Sequence, residues 1–431
     1  MNSNKSECCS HRKLLMLGTS KGSIEMLEYA KSQGIYTIVT DYLTPEFSKG
    51  KQIADEYWMI NTADIDELVE KCEEEGVDGV CCGLSTFNIP QVSKLASRLG
   101  LPSYATEEAW HYTVDKYDFK KLCKECGVPV AKDYAISENP TYDELGKVQL
   151  PVMVKAVDLS SNKGMSYCYE KNEIAPAIKF ALESSASDKF IVERMLEGKE
   201  YTAYYCLKDG NASLVSLFSD LNQSGYPNKC YALNSTACNK LDLYKKEVDP
   251  YFKKFMNKSG MKNGVCFIEM ILDKDGHFYV LEMGYRLSGD MMAIPIKDVT
   301  GFDSYKWLVD FAMGDSIDAP LPVEIAKPYD KIGCSYIIWS KDMSGTIDKI
   351  KGVKEISALD GVKVQTQDNL IFEGSSFDPY VYLITFTFTR DSYDEICETI
   401  KFINDNISIT DTNGNDICQR FTDFNELYTE L

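Results

Sequence analysis

The chain reads as an α/β protein at its start that passes into α+β structure. Short apolar runs alternate with amphipathic stretches over the first third, which implies a parallel sheet covered by helices. Later segments look like antiparallel strands, and two of them are joined by the acidic turn Asp273-Lys274-Asp275-Gly276. With 431 residues the chain exceeds one core, and roughly 150 residues per domain suggests about three.

Taken in order, Lys13–Leu17 is an apolar strand, followed by the loop Gly18-Thr19-Ser20-Lys21-Gly22-Ser23 and an amphipathic stretch to Gln33. Tyr36–Thr40 is a second strand ending at Asp41. Glu56–Ile60, a helix Ile65–Glu75, Val77–Cys82 and a helix Ile89–Leu99 continue the alternation. The glycines invite a dinucleotide reading with Asp41 as the ribose acid. Gly18 and Gly22 do not make Gly-x-Gly-x-x-Gly, so an anion held by loop amides fits the loop better.

From Asp115 the pattern changes. A helix Lys116–Cys126 leads to strands at Val130–Tyr134 and Val152–Lys155, a helix Ile174–Ser184, and strands at Lys189–Glu193, Glu200–Leu207 and Ser213–Phe218. Asn222–Asn239 is polar and reads as a mobile loop, and a helix is expected over Leu243–Ser259. After Pro320-Leu321-Pro322, strand-like segments at Lys331–Trp339, Val362–Thr366 and Tyr380–Thr389 and a helix Tyr393–Asn406 form the tail. The expected division is a flexible tail 1–12, an α/β domain 13–114, a central domain 115–318 and a smaller α+β domain 319–431.

Composition narrows the chemistry. Lys and Arg number 46 against 66 Asp and Glu, a net charge of −20, which argues against nucleic-acid or anionic-membrane partners. The polar stretch Met1–Arg12 lacks the apolar core of a secretory signal, and no run is long enough for a membrane helix, so a cytoplasmic location is expected. The 15 cysteines then read as reduced thiols; Cys123 and Cys126 form a lone Cys-x-x-Cys with no second pair at zinc spacing, and Cys8, Cys9 and His11 fall in the expected flexible tail, so neither group reads as a metal or redox site. Only three histidines are present, so the chemistry must run on carboxylates, lysines and arginines.

Three segments carry that chemistry. Around the 273–276 turn, Glu269 and Glu282 fall opposite or nearly opposite each other among apolar neighbours. Two facing carboxylates in a buried sheet repel, and a divalent cation such as Mg²⁺, a salt bridge to Arg286 or a shared proton would relieve them. Val152–Lys155 is an apolar strand ending in a lysine beside Asp158–Gly164, where a phosphate could sit; a snorkelling lysine beside an ordinary turn is the bland reading. Phe190–Tyr201 is a strand, a short break and another strand, fit to hold an adenine on exposed backbone groups and a ribose on Glu200, or else an acidic surface turn.

The order of these elements, with Asp115-Lys116 opening a helix, resembles the ATP-grasp superfamily over residues 10 to 318, and within it the biotin carboxylase, carbamoyl-phosphate synthase large chain and bacterial L-amino acid ligase branch. The segment Gly345-Thr346-Ile347 through Gly361-Val362 looks more loosely like the C-terminal region of the amino acid ligases. The resemblance implies the ATP-grasp fold, ATP and Mg²⁺ (or Mn²⁺) as cofactors, and a carboxylate–amine ligase working through an acyl phosphate. A bicarbonate-activating enzyme and a non-catalytic ATP-binding module are its rivals. Small-molecule carboxylates and amines, amino acids among them, would be the partners, with room for a homodimer. By the same resemblance Lys116 and Lys155 would contact phosphates, and Ser160, Ser161, Lys163 and Gly164 would close over them. Glu193 and the Met195 backbone would hold adenine, Glu200 ribose, and Glu269 and Glu282 Mg²⁺, while Arg286 would face the reacting group. Two departures stand out: Gly284 where many members have Asn, and a phosphate loop with only Gly164.

Overall fold

The computed structural model describes residues 12–158, 164–185, 189–222, 231–315, 321–366 and 371–429. Contacts divide the chain into two compact units. One holds 1–106, 303–320 and 367–370; the other holds 107–302, 321–366 and 371–431.

In the first unit, strands β1 (Lys13–Leu17), β2 (Tyr36–Thr40), β3 (Glu56–Trp58) and β4 (Gly79–Cys81) form a parallel sheet in the order β3-β2-β1-β4. The expected alternation is therefore present, with β3 and β4 shorter than expected. The helix Ser304–Ala312 returns to this unit and packs on Ser23–Ser32, where Lys306 Nζ meets Tyr29 Oη at 2.7 Å. The glycine loop has a packing reason. Gly18 sits at φ 71°, and a Cβ there would lie 2.5 Å from Asn88 Nδ2. That amide donates to Leu17 O at 2.9 Å and ties the loop to the next crossover. Asp41 is not available to a ribose: it is buried and paired with the buried Lys51 at 2.8 Å.

The second unit holds two sheets that matter for function. The smaller contains β5 (Asp133–Tyr134), β6 (Val152–Ala156), β7 (Met165–Cys168) and β8 (Phe190–Arg194), antiparallel in the order β5-β8-β6-β7. The helix Ile174–Ser184 covers it with Ile174, Ala177, Ile178 and Ala181, a stripe at helical spacing. Among the described residues the larger sheet has nine strands. It begins β13-β12-β9-β10-β11-β14, with β9 (Gly198–Lys208), β10 (Asn211–Asn222), β11 (Tyr231–Ser235), β12 (Gly264–Asp273), β13 (Phe278–Gly284) and β14 (Ile332–Ser340). It continues through Tyr382–Arg390 to Lys363–Thr366, and Cys418–Gln419 pairs with β14.

That sheet corrects one expectation. The antiparallel strands within residues 321–366 and 371–429 extend the central sheet and fall in the same unit as residues 107–302. The joint is β11, whose residues fall inside the expected 222–239 loop and pair with β10 on one side and β14 on the other. Residues 223–230 of that loop lie outside the described residues. The expected helix 243–259 is two helices, Leu241–Glu247 and Asp249–Lys258, broken at Val248 ahead of Pro250. Behind the extended sheet, the helix Tyr393–Asn406 buries Ile396, Ile400 and Ile403 against Tyr336, Phe386 and Phe388. Among the described residues no helix is long and apolar enough to cross a membrane.

Candidate functional site: a lysine-lined recess beside a carboxylate pair

The 273–276 turn sets the register of β12 against β13, and Glu269 lies directly opposite Glu282. A bulge follows: Met270 pairs with Val280, so Leu281 is left over. Thr202 on β9 is the neighbour of Glu269, and Glu200, two residues earlier on the same face, faces Asp220 of β10. Four carboxylates thus share one sheet face. Burial pushes the Glu269 carboxyl well above its usual range, and Glu282, Asp220 and Glu200 push it further, while Arg286 opposes them. Asp220, buried beneath, is raised by burial and by Asp290 although Thr202 Oγ1 donates to it at 2.8 Å and Asn234 Nδ2 also donates.

Arg286 stands at the edge of this face. Its guanidinium lies 5.1 Å from the ring centre of Phe267 and donates to Leu287 O at 2.7 Å, and its buried Nε has no partner among the described residues. Phe267 explains Gly284. The two residues are cross-strand neighbours, and a Cβ at 284 would collide with the Phe267 ring. The room that an Asn side chain would need is filled by the platform under Arg286.

The second part of the site is a recess with about 280 Å³ of empty space, lined by Lys116, Lys120, Ala131, Lys155, Ile191, Glu193, Val280 and Leu281. Lys116 opens a helix whose N-cap, Asp115, accepts from the amides of Tyr117 and Asp118 at 2.9 Å each. Lys155 comes from β6 and Glu193 from the adjacent β8. Ala131, Ile191, Val280 and Leu281 supply apolar walls. Lys116 Nζ reaches Glu282 Oε2 at 3.5 Å, so the recess adjoins the carboxylate pair.

Glu193 is buried and its carboxylate is already engaged. Lys155 Nζ lies 2.5 Å from Oε1, and Lys120 Nζ contacts Oε2. Burial alone would raise this carboxyl, but the two ammonium groups outweigh it and hold it down at about 2. Met195 spends its N–H on Pro151 O at 3.1 Å, which leaves its carbonyl as the group a base could use. The connection from β8 to β9 is clamped to the hairpin tip: Arg194 pairs with Asp273 at 3.2 Å and Asp275 at 3.4 Å, and Lys274 pairs with Glu197. Gly164 accepts from Ala156 N at 3.2 Å, while Ser160, Ser161 and Lys163 lie outside the described residues.

The sequence reading missed Lys120, Phe267, Asp220 and Asn234. Lys120 had a signal, since it lies four residues after Lys116 and shares its helix face. Asp220 lies two residues past the expected end of its strand, and Asn234 lay within an expected loop, so periodicity had no purchase on either.

Residues 115–319 match the family "Carbamoyl-phosphate synthase L chain, ATP binding domain". A formate-dependent phosphoribosylglycinamide formyltransferase of Methanocaldococcus jannaschii is 28% identical over 188 residues, covering 43% of this chain and 48% of that protein. The chain thus spans about half the length of the curated relative it matches. A phosphoribosylglycinamide synthetase structure from Anaerococcus prevotii superposes with a TM-score of 0.72 at 21% identity, covering 93% of this chain and 99% of that one. An L-amino acid ligase structure from Bacillus licheniformis gives a TM-score of 0.73 at 20% identity, covering 94% and 99%. The capped lysine helix, the lysine-ended strand, the clamped connection and the facing glutamates occur in one order within residues 115–319, the stretch that matches this ATP-binding domain family, and the two structural likenesses show that the chain shares its fold with ligases of that kind.

Proposed function

We propose that this chain is an ATP-dependent carboxylate–amine ligase that releases ADP and phosphate. The observation that supports it most is the 3.5 Å contact of Lys116 with Glu282, which joins a recess lined by lysines and apolar walls to a pair of facing carboxylates. Adenine would lie between the apolar walls, with Lys116 and Lys155 toward the phosphates. Glu269 and Glu282 offer hard oxygen ligands on one face and suit Mg²⁺, which when bound would neutralise charge on the phosphates.

In the first step a substrate carboxylate oxygen bonds to the γ-phosphorus as the bond to the ADP oxygen breaks, giving an acyl phosphate and ADP. The lysines hold the phosphates in line and offset their charge. In the second step an amine attacks the acyl carbon, phosphate departs with the bonding pair, and the amine proton passes to solvent or a carboxylate. Arg286, beside the acids, would stabilise the oxyanion of the tetrahedral intermediate. The substrates would be small carboxylates and amines, amino acids among them, and a homodimer is compatible with this reading. We place the enzyme in the cytoplasm, in keeping with the buried free thiols of the described cysteines.

Hydroxylamine tests the reading. A carboxylate substrate with ATP and hydroxylamine should give a hydroxamate with one ADP per product. AMP in place of ADP would refute the phosphoryl-transfer route, and no hydroxamate across a broad carboxylate panel, with ATP bound, would refute ligation.

A further inference from the structure

Five side chains of alternating charge run from the surface into the recess: Lys124, Asp133, Lys120, Glu193 and Lys155. Lys124 and Lys120 both contact Asp133, and Lys120 and Lys155 both contact Glu193, the last pair at 2.5 Å. Exposure falls along the row from 50% at Lys124 to 9% at Lys120 and 3% at Glu193, then returns to 14% at Lys155. Three cations share two anions, so one positive charge is left over. Water screens the Lys124 end, whereas the Lys155 end faces the recess.

We infer that Lys120 is a positioning residue for nucleotide phosphate: by sharing Glu193, it keeps that carboxylate from cancelling Lys155. The inference rests on the nucleotide reading proposed above. Without Lys120, Glu193 has only Lys155 and Asp133 has only Lys124. The row is then neutral, and Lys155 is bound tightly to a buried carboxylate instead of a phosphate. Without Asp133 the reverse holds, since Lys120 turns wholly to Glu193 and Lys155 is released.

Calorimetric binding of ATP and of adenosine to the full chain reads this out as a ratio of affinities, because adenosine carries the base and ribose but no phosphate. In Lys120→Met the ATP-to-adenosine ratio should fall about tenfold. It should stay near wild type in Lys120→Arg, return toward wild type in Lys120→Met/Glu193→Gln, and rise in Asp133→Asn. An unchanged ratio in Lys120→Met overturns the inference. So does a double variant that fails to recover, since a direct Lys120–phosphate contact could not be restored by removing Glu193. If Lys120→Met does not fold, Asp133→Asn decides alone, and a ratio that stays level or falls overturns the inference. A wild-type protein that binds neither ligand overturns the nucleotide reading itself, and this inference with it.

Discussion

Replacing Glu193 with Gln should cost this protein about 3 kcal/mol of stability at neutral pH and should also remove a pH dependence. The carboxylate is 3% exposed and lies between Lys155 at 2.5 Å and Lys120. Gln is nearly isosteric but leaves two ammonium groups without their shared anion, and breaking a buried pair from one side costs about 3–5 kcal/mol. Linkage gives a second estimate. Folding holds the carboxyl at about 2 against its ordinary 4.5. At roughly 1.4 kcal/mol per pKa unit, that gap is again about 3 kcal/mol. Because the folded value is the lower one, the contribution is complete above about pH 4.5 and disappears as pH falls toward 2. Gln does not titrate. Urea midpoints of wild type and variant should therefore differ by a constant amount above about pH 5, and the difference should narrow by roughly 1 kcal/mol per pH unit below it. A difference under about 1 kcal/mol at pH 7 would refute the buried-pair assignment. A difference that stays level from pH 6 to pH 3.5 would refute the shifted carboxyl.

Three other outcomes follow from the same geometry. Glu282→Gln should leave the circular dichroism spectrum unchanged and abolish Mg²⁺-dependent turnover, since an amide oxygen is a poorer ligand for a hard cation than a carboxylate; normal turnover with normal Mg²⁺ dependence would remove Glu282 from the metal site. Lys155→Met should weaken ATP binding and flatten its salt dependence, measured by calorimetry at two ionic strengths, and equal affinities would count against a phosphate contact. Gly284→Asn should destabilise by about 1–3 kcal/mol in a thermal melt because its Cβ collides with Phe267, whereas Phe267→Ala/Gly284→Asn should tolerate the new side chain. A single variant as stable as wild type would show that Phe267 does not govern position 284.

Much of the site was legible before any fold was known, for local reasons. A short turn pins the register of a hairpin, so Glu269 and Glu282 could be counted out from the turn as opposite or nearly opposite, and the bulge after Glu269 sets them directly opposite. Asp115 caps the Lys116 helix through amides two and three residues away. The strand ending near Lys155, the helix Ile174–Ser184 and the helix Tyr393–Asn406 follow from periodicity and appear with almost the expected bounds.

What the tertiary structure alone decided depends on partners far apart in the chain. β11 is a strand because β10 and β14 satisfy its backbone on both sides; its own residues, Asn234 and Ser235 among them, look like loop. That one pairing carries the strands of the tail into the central sheet. Glu193 is held by lysines 73 and 38 residues away in sequence, so no local pattern announces that its charge is already balanced. Phe267 fills the space beside Gly284 only because the hairpin register sets them face to face. Residue types and their order along the chain specify which chemistry is available. Long-range pairing decides which of those groups is free to perform it, because a buried charge takes the partner that folding places beside it.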